Sequence, residues 1–158
     1  MPVENHPASA SAASQWLLCR TGTHQFAVSL DRVIETMRAL PIESVAGASK
    51  LVLGVAIIRG EPIPVLDAAA LFDRSSTNPR RFVTVRTGQR TIALATDEVL
   101  GLSAIPAIDL QQLPPLLRNA ESVAAIATRD AELVFFLRST RIVSDESLEK
   151  IELARKAS

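Results

Sequence analysis

The pattern of apolar and polar positions is most sharply punctuated in residues 54–67, which read G-V-A-I-I-R-G-E-P-I-P-V-L-D. An apolar run rich in Val and Ile breaks at Arg59-Gly60-Glu61, then resumes as a Pro-spaced apolar run. That pattern predicts two buried strands joined by a tight turn. Gly60 is the natural residue for a positive φ there. Arg59 follows the apolar run at the point where the chain can put a charge into solvent. Pro62 and Pro64 are two apart, so in an extended strand their missing N–H groups lie on one side, which must be an edge or a bulge. Such a hairpin is better suited to presenting a surface than to enclosing a reaction.

The same style of punctuation runs along the chain. Residues 16–21 read as a strand, Thr21-Gly22-Thr23 as a turn, and 25–30 as a period-two strand with Phe26, Val28 and Leu30 on one face. Residues 31–37 suggest one helical turn, capped by Ser29 or Asp31, then a strand from Ile34 onward, ended by Pro41. Residues 44–49 form a loop, 68–72 a short helical turn and 75–79 a linker. The second half echoes the first: strands at 82–86 and 91–95 flank a turn at 87–90, and residues 97–102 answer 31–34 with an acidic residue and an apolar pair. Leu113-Pro114-Pro115 is a rigid bend, and 122–128 and 132–137 are strands around an Arg129-Asp130 turn. Residues 1–15, dominated by Ala, Ser and Pro, are expected to be a disordered tail. In 144–158, Leu148, Ile151 and Ala154 follow Ser144 or Asp145 at the spacing of an amphipathic helix. The expected architecture is mainly β: two small barrel-like subdomains sharing a core over 16–143, with a break near residues 73–80 and a helix over 144–158.

Composition narrows the function. Seventeen basic and seventeen acidic residues cancel, whereas a nucleic-acid partner would normally leave a basic excess. No apolar stretch approaches a membrane span, so no direct membrane insertion is expected. A single cysteine excludes an internal disulfide framework and fits a reducing, cytoplasmic compartment. The N-terminus lacks the features of a secretory signal.

The chemical inventory is thin. His6 lies in the expected tail and His24 beside a turn, neither with a visible partner for a nucleophile or metal. Cys19 sits in an apolar strand, the setting of an inert thiol. Asp67 and Asp97 each follow a strand and read as turn or cap residues rather than paired acids. There is no phosphate-binding glycine loop and no metal-ligand spacing, so neither a cofactor nor an enzyme activity is expected. Among surface features Arg59 with Gly60 is the most specific, and it divides evenly between a solvated turn charge and a binding residue. Taken alone, Val33 and Glu35 read as core and solvated face.

At this point the residues resemble a known family. Residues 54–60 followed by Pro64-Val65-Leu66-Asp67 are similar to the central G-V-x-x-x-R-G…P-V-x-D-L signature of CheW-type chemotaxis coupling proteins. Val33-Ile34-Glu35 falls where that family has V-x-E-V, residues 94–99 where it has L-x-V-D-x-V, and Leu113-Pro114-Pro115 at its apolar-Pro bend. Residues 133–137 match its closing strand. Ile57 stands where the family usually has Asn, and Thr96 where it usually has Val; Arg138 follows the closing strand in place of Asp. The resemblance implies two five-stranded, SH3-like subdomains. It also implies a non-catalytic adaptor joining the cytoplasmic tip of a chemoreceptor to the regulatory domain of the histidine kinase CheA. Its implied protein-binding residues are Arg59, Gly60, Glu61 and Ile57 of the hairpin, with Val33 and Glu35. A module of a secondary chemosensory pathway and a detached kinase regulatory domain share that fold. A small ligand- or nucleic-acid-binding barrel is the alternative from another class.

Overall fold

A computed structural model describes residues 13–72, 78–106, 109–113 and 123–138. Among the described residues ten strands make two five-stranded sheets. In chain order they are β1 (Ala13–Thr21), β2 (His24–Ser29), β3 (Val33–Arg38), β4 (Val52–Ile58), β5 (Glu61–Asp67), β6 (Arg81–Thr87), β7 (Arg90–Thr96), β8 (Glu98–Pro106), β9 (Val123–Arg129) and β10 (Glu132–Leu137). Short 3-10 turns cover Leu30–Arg32 and Ala68–Phe72. One sheet runs β8-β1-β2-β10-β9, the other β3-β6-β7-β5-β4.

The near-continuous apolar runs have a packing reason. Alternate residues of one strand serve two different cores, because successive side chains point to opposite faces. Leu17 and Cys19 of β1, Phe26 and Val28 of β2, and Val83, Val85, Ile92 and Leu94 of β6 and β7 meet in a core shared by both sheets. The residues between them turn inward on their own sheet. Leu18, Ala27, Val134 and Phe136 fill one barrel interior, and Ile58, Ile63, Phe82 and Ala93 fill the other.

The halves of the sequence repeat, but they are not the subdomains. The β1–β2 turn between Thr21 and His24 has its counterpart between Thr87 and Arg90. A bulge at Ile34 in β3 is matched by one at Leu100 in β8. The isolated bridge Glu43–Val55 is matched by Gln111–Ile126. Each sheet nevertheless takes its first hairpin from one half and its other three strands from the other half. The chain changes sheets at Leu30–Arg32 and at Asp97, so the expected division near 73–80 marks the sequence repeat while the structural division falls at these two crossovers. The second crossover is clamped to the β1–β2 turn. There Asp97 N–H and Thr96 Oγ1 both donate to the Arg20 carbonyl, at 3.1 and 2.7 Å, and the Gly22 N–H donates to the Asp97 carboxylate at 2.7 Å.

Other departures from the sequence reading are local. β1 starts at Ala13, inside the segment expected to be disordered, because residues 13–15 pair with 104–106 of β8. Ser29 occupies the cap position of the 3-10 turn but makes no side-chain cap bond, and β3 begins at Val33 rather than Ile34. The turn expected at Arg129-Asp130 is shifted by one residue to Asp130-Ala131, both with positive φ. The linker at 75–79 falls largely, and the helix at 144–158 wholly, outside the described residues.

Candidate functional site

β5 is an interior strand, yet its prolines are accommodated. The N–H and C=O of Val55 both bond to Glu43, at 2.8 Å each, on the side of β4 away from β5. Val55 and its partner Pro64 therefore form a non-hydrogen-bonded pair, and Pro64 directs its nitrogen toward β7. The parallel ladder between β5 and β7 starts only at Val65, so neither proline blocks an existing bond.

At the far end of the hairpin the chain turns through two residues, with Ile58 opposite Glu61. Both turn residues have positive φ, 51° at Arg59 and 82° at Gly60, as the right-handed twist of a two-residue hairpin loop demands. For Arg59 this conformation costs roughly 1–2 kcal/mol. A two-residue loop would have shown this from the sequence, had its register been known; composition pointed only to Gly60.

The Arg59 side chain does not float in solvent. Its Nε donates to Glu35 Oε2 at 2.6 Å and its terminal Nη2 to Glu35 Oε1 at 2.8 Å, a bidentate pair. The Arg59 side chain remains 77% exposed and that of Glu35 only 25%. The guanidinium's hydrogen bonds hold the Glu35 carboxyl below its ordinary range, against a smaller opposing effect of desolvation. The same bonds push the Arg59 guanidinium upward.

Glu35 is placed by the β3 bulge. Val33 pairs with Val85 and Glu35 with Thr84, leaving Ile34 as the extra residue. The Thr84 hydroxyl fills the resulting gap: it accepts from the Glu35 N–H and donates to the Glu35 C=O, both at 3.2 Å. The bulge also separates the residues expected to act together. Val33 packs against the shared core, because it lies across from Val85. The outward apolar residue is its neighbour Ile34, 49% exposed, which period-two reading did not single out. Ile34, Glu35, Arg59, Glu61 and Thr84 line one shallow depression. Ile57, 62% exposed, borders a second with Leu40, Pro41 and Ile42. Of the six residues named from sequence, Glu35, Arg59, Gly60, Glu61 and Ile57 thus share the hairpin end, and Val33 does not.

The remaining candidates are structural. Asp67 caps the following 3-10 turn through the Ala69 N–H at 3.0 Å, far in the chain from Asp97 on its crossover. Burial pushes the Cys19 thiol up to about 12. His24 stacks on Phe72, with ring centroids 4.6 Å apart. Among the described residues no helix is long and apolar enough to cross a membrane.

Paired five-stranded barrels with a shared core and a rigid, charged hairpin end define a binding scaffold. The CheW-like domain model matches residues 15–147, and the chain belongs to that family of coupling scaffolds in chemotaxis signalling. It is 32% identical to Protein FrzA of Myxococcus xanthus over 114 residues, 70% of this chain and 69% of that protein. Its fold superposes on the crystal structure of scaffolding protein TtCheW from Thermoanaerobacter tengcongensis with a TM-score of 0.75. That match has 16% identity and covers 85% of this chain and 95% of the other. Proteins of this family are non-catalytic scaffolds.

Proposed function

We propose that the protein is a non-enzymatic cytoplasmic adaptor that couples the cytoplasmic tip of a chemoreceptor to the regulatory domain of the histidine kinase CheA. The observation carrying this reading is the Arg59–Glu35 pair. An exposed arginine is held in a left-handed turn and in a bidentate ion pair, beside exposed Ile34 and Ile57. A rigid charged group flanked by apolar side chains is the usual anatomy of an interface anchor. Glu61 and Gly60 complete the contact surface, and Glu35 acts chiefly by positioning Arg59. Val33 supports the surface from beneath through the core.

The test is gel filtration of this chain with a receptor-tip fragment and a kinase regulatory domain from the same source. Co-elution of all three supports the reading, whereas separate elution in every combination overturns it.

A further inference from the structure

On the other face of β3 from Glu35, at the strand's far end, Arg38 lies directly across from Arg81 of β6. Arg80 stands next to them, its carbonyl accepting from the Ala39 N–H and its own N–H donating to the Thr96 carbonyl. All three arginines are exposed. Like charges directly opposite in a strand pair destabilise it, and among the described residues no acidic side chain forms an ion pair with this one. Among the described residues, acidic side chains pair with Arg20, Arg59 and Arg129, and none of these pairs reaches Arg38, Arg80 or Arg81. The nearest acidic residues in sequence to Thr96 are committed elsewhere, Asp97 to the Gly22 N–H and Glu98 to Arg20 at 4.0 Å.

The internal repeat supplies a control. The equivalent cross-strand pair in the other barrel is Gln15 opposite Ala104, both exposed and neutral. The fold therefore does not require charge at this position. Nor is the cluster a by-product of a basic protein, since the chain's formal net charge is zero.

We propose that Arg38, Arg80 and Arg81 form a docking surface for an acidic protein segment, whose carboxylates take the place of the missing counter-charges. Guanidinium groups bind carboxylates as planar, bidentate pairs, and two facing arginines present such donors side by side. A nucleic acid fits less well. Among the described residues no exposed aromatic side chain offers a platform for bases, and the neutral chain offers no extended basic track.

The test is fluorescence anisotropy of a labelled oligoglutamate peptide titrated with the 158-residue chain at low salt. Arg38→Gln, Arg81→Gln and the double variant are compared with Arg86→Gln, an exposed arginine elsewhere on β6. The expected result is saturable binding, weakened about tenfold in the double variant, as loss of charge-assisted hydrogen bonds implies, and unchanged in Arg86→Gln. The double variant should melt no lower than the parent, because its change relieves a repulsion, and this separates lost binding from lost fold. The proposal is overturned if the parent does not bind the peptide or if the double variant binds it equally well. Preferential binding of a single-stranded oligonucleotide or of anionic vesicles would also overturn it.

Discussion

The guanidinium of Arg59 grips the carboxylate of Glu35 through two hydrogen bonds of 2.6 and 2.8 Å, and the pair joins elements from opposite sides of one sheet. β3 is one edge of that sheet, while the β4–β5 turn belongs to its other side. The pair therefore closes the end of the coiled sheet as a clasp. In the other barrel the equivalent edges are tied by Arg129 of β9 and Ser103 of β8, through a hydrogen bond from Nη1 to Oγ. Only the first clasp carries opposite full charges.

Arg59→Glu sets two carboxylates against each other at the clasp. Both are accessible to water, so the fold should survive, with circular dichroism unchanged and only a small shift in melting temperature. Partner affinity should fall by about 2 kcal/mol or more, the loss typical of an interface anchor. If Arg59 acts by direct contact, exchanging the charges as Glu35→Arg with Arg59→Glu rebuilds the clasp without restoring binding. Restoration by the exchange would show that the clasp's geometry, rather than the arginine itself, is recognised.

Glu35 also sets a pH dependence. Its folded carboxyl titrates below the ordinary glutamate value, so its contribution to stability is present above the unfolded-chain value of about 4.3. That contribution disappears as pH falls through the lowered folded value. In urea unfolding, the protein and its Glu35→Gln variant should differ at neutral pH. The difference should shrink once pH falls below the unfolded-chain value of about 4.3, vanishing only below the lowered folded value. A difference that stays constant down to strongly acidic pH would show that the variant acts through something other than the charge.

How far the sequence foretold this arrangement depends on whether the relevant physics is local. Gly60, Gly88 and the prolines punctuate the strands because turn and ladder constraints act within a few residues. The β4–β5 and β6–β7 hairpins were legible for that reason. The exchange of hairpins between the halves was not, since the parallel β2–β10 and β5–β7 pairings join segments far apart in the chain. Period-two reading also fails at a bulge: it puts Val33 and Glu35 on one face, whereas the extra residue Ile34 separates core from surface. The partner of Arg59 lies on another strand, so the arginine's chemistry was visible and its restraint was not.

Thr84 is the hidden support of the site. Thr84→Val keeps the shape but leaves the Glu35 N–H and C=O without the hydroxyl that serves both. Thr84 is buried, so the expected cost is about 1–3 kcal/mol of stability. Looser placement of Glu35 should weaken partner binding as well. Thr84→Ser, which retains the hydroxyl, should recover most of both losses. Equal damage from Val and Ser would assign the effect to packing of the lost methyl instead.

Gly54 is fixed by a close approach. Its φ is +147°, and an added Cβ would lie 2.1 Å from the Glu43 carbonyl oxygen and 2.9 Å from Ile42 Cγ2. The Glu43–Val55 bridge holds that backbone in place, so relief requires pulling the segment off β4. Gly54→Ala should destabilise by about 2–4 kcal/mol, at the high end for a single substitution. Gly60→Ala, with open space around its added Cβ, should cost less, through its positive φ alone. Thermal melts of the two variants side by side give the order, and the reverse order would refute the close-approach argument.

Cys19 gives a chemical readout of the shared core. Its thiol is fully buried among Leu17, Phe26 and Val28, and burial raises its pKa to about 12. At pH 8 the native protein should therefore contain almost no thiolate, the form that reacts with disulfide and alkylating reagents. Labelling should occur only when the core opens. Its rate should track global unfolding, accelerate in urea in step with loss of structure, and respond to Gly54→Ala far more than to Arg59→Glu. Rapid labelling of the native protein, insensitive to urea below the unfolding transition, would mean that the interface between the two sheets opens locally without unfolding either of them.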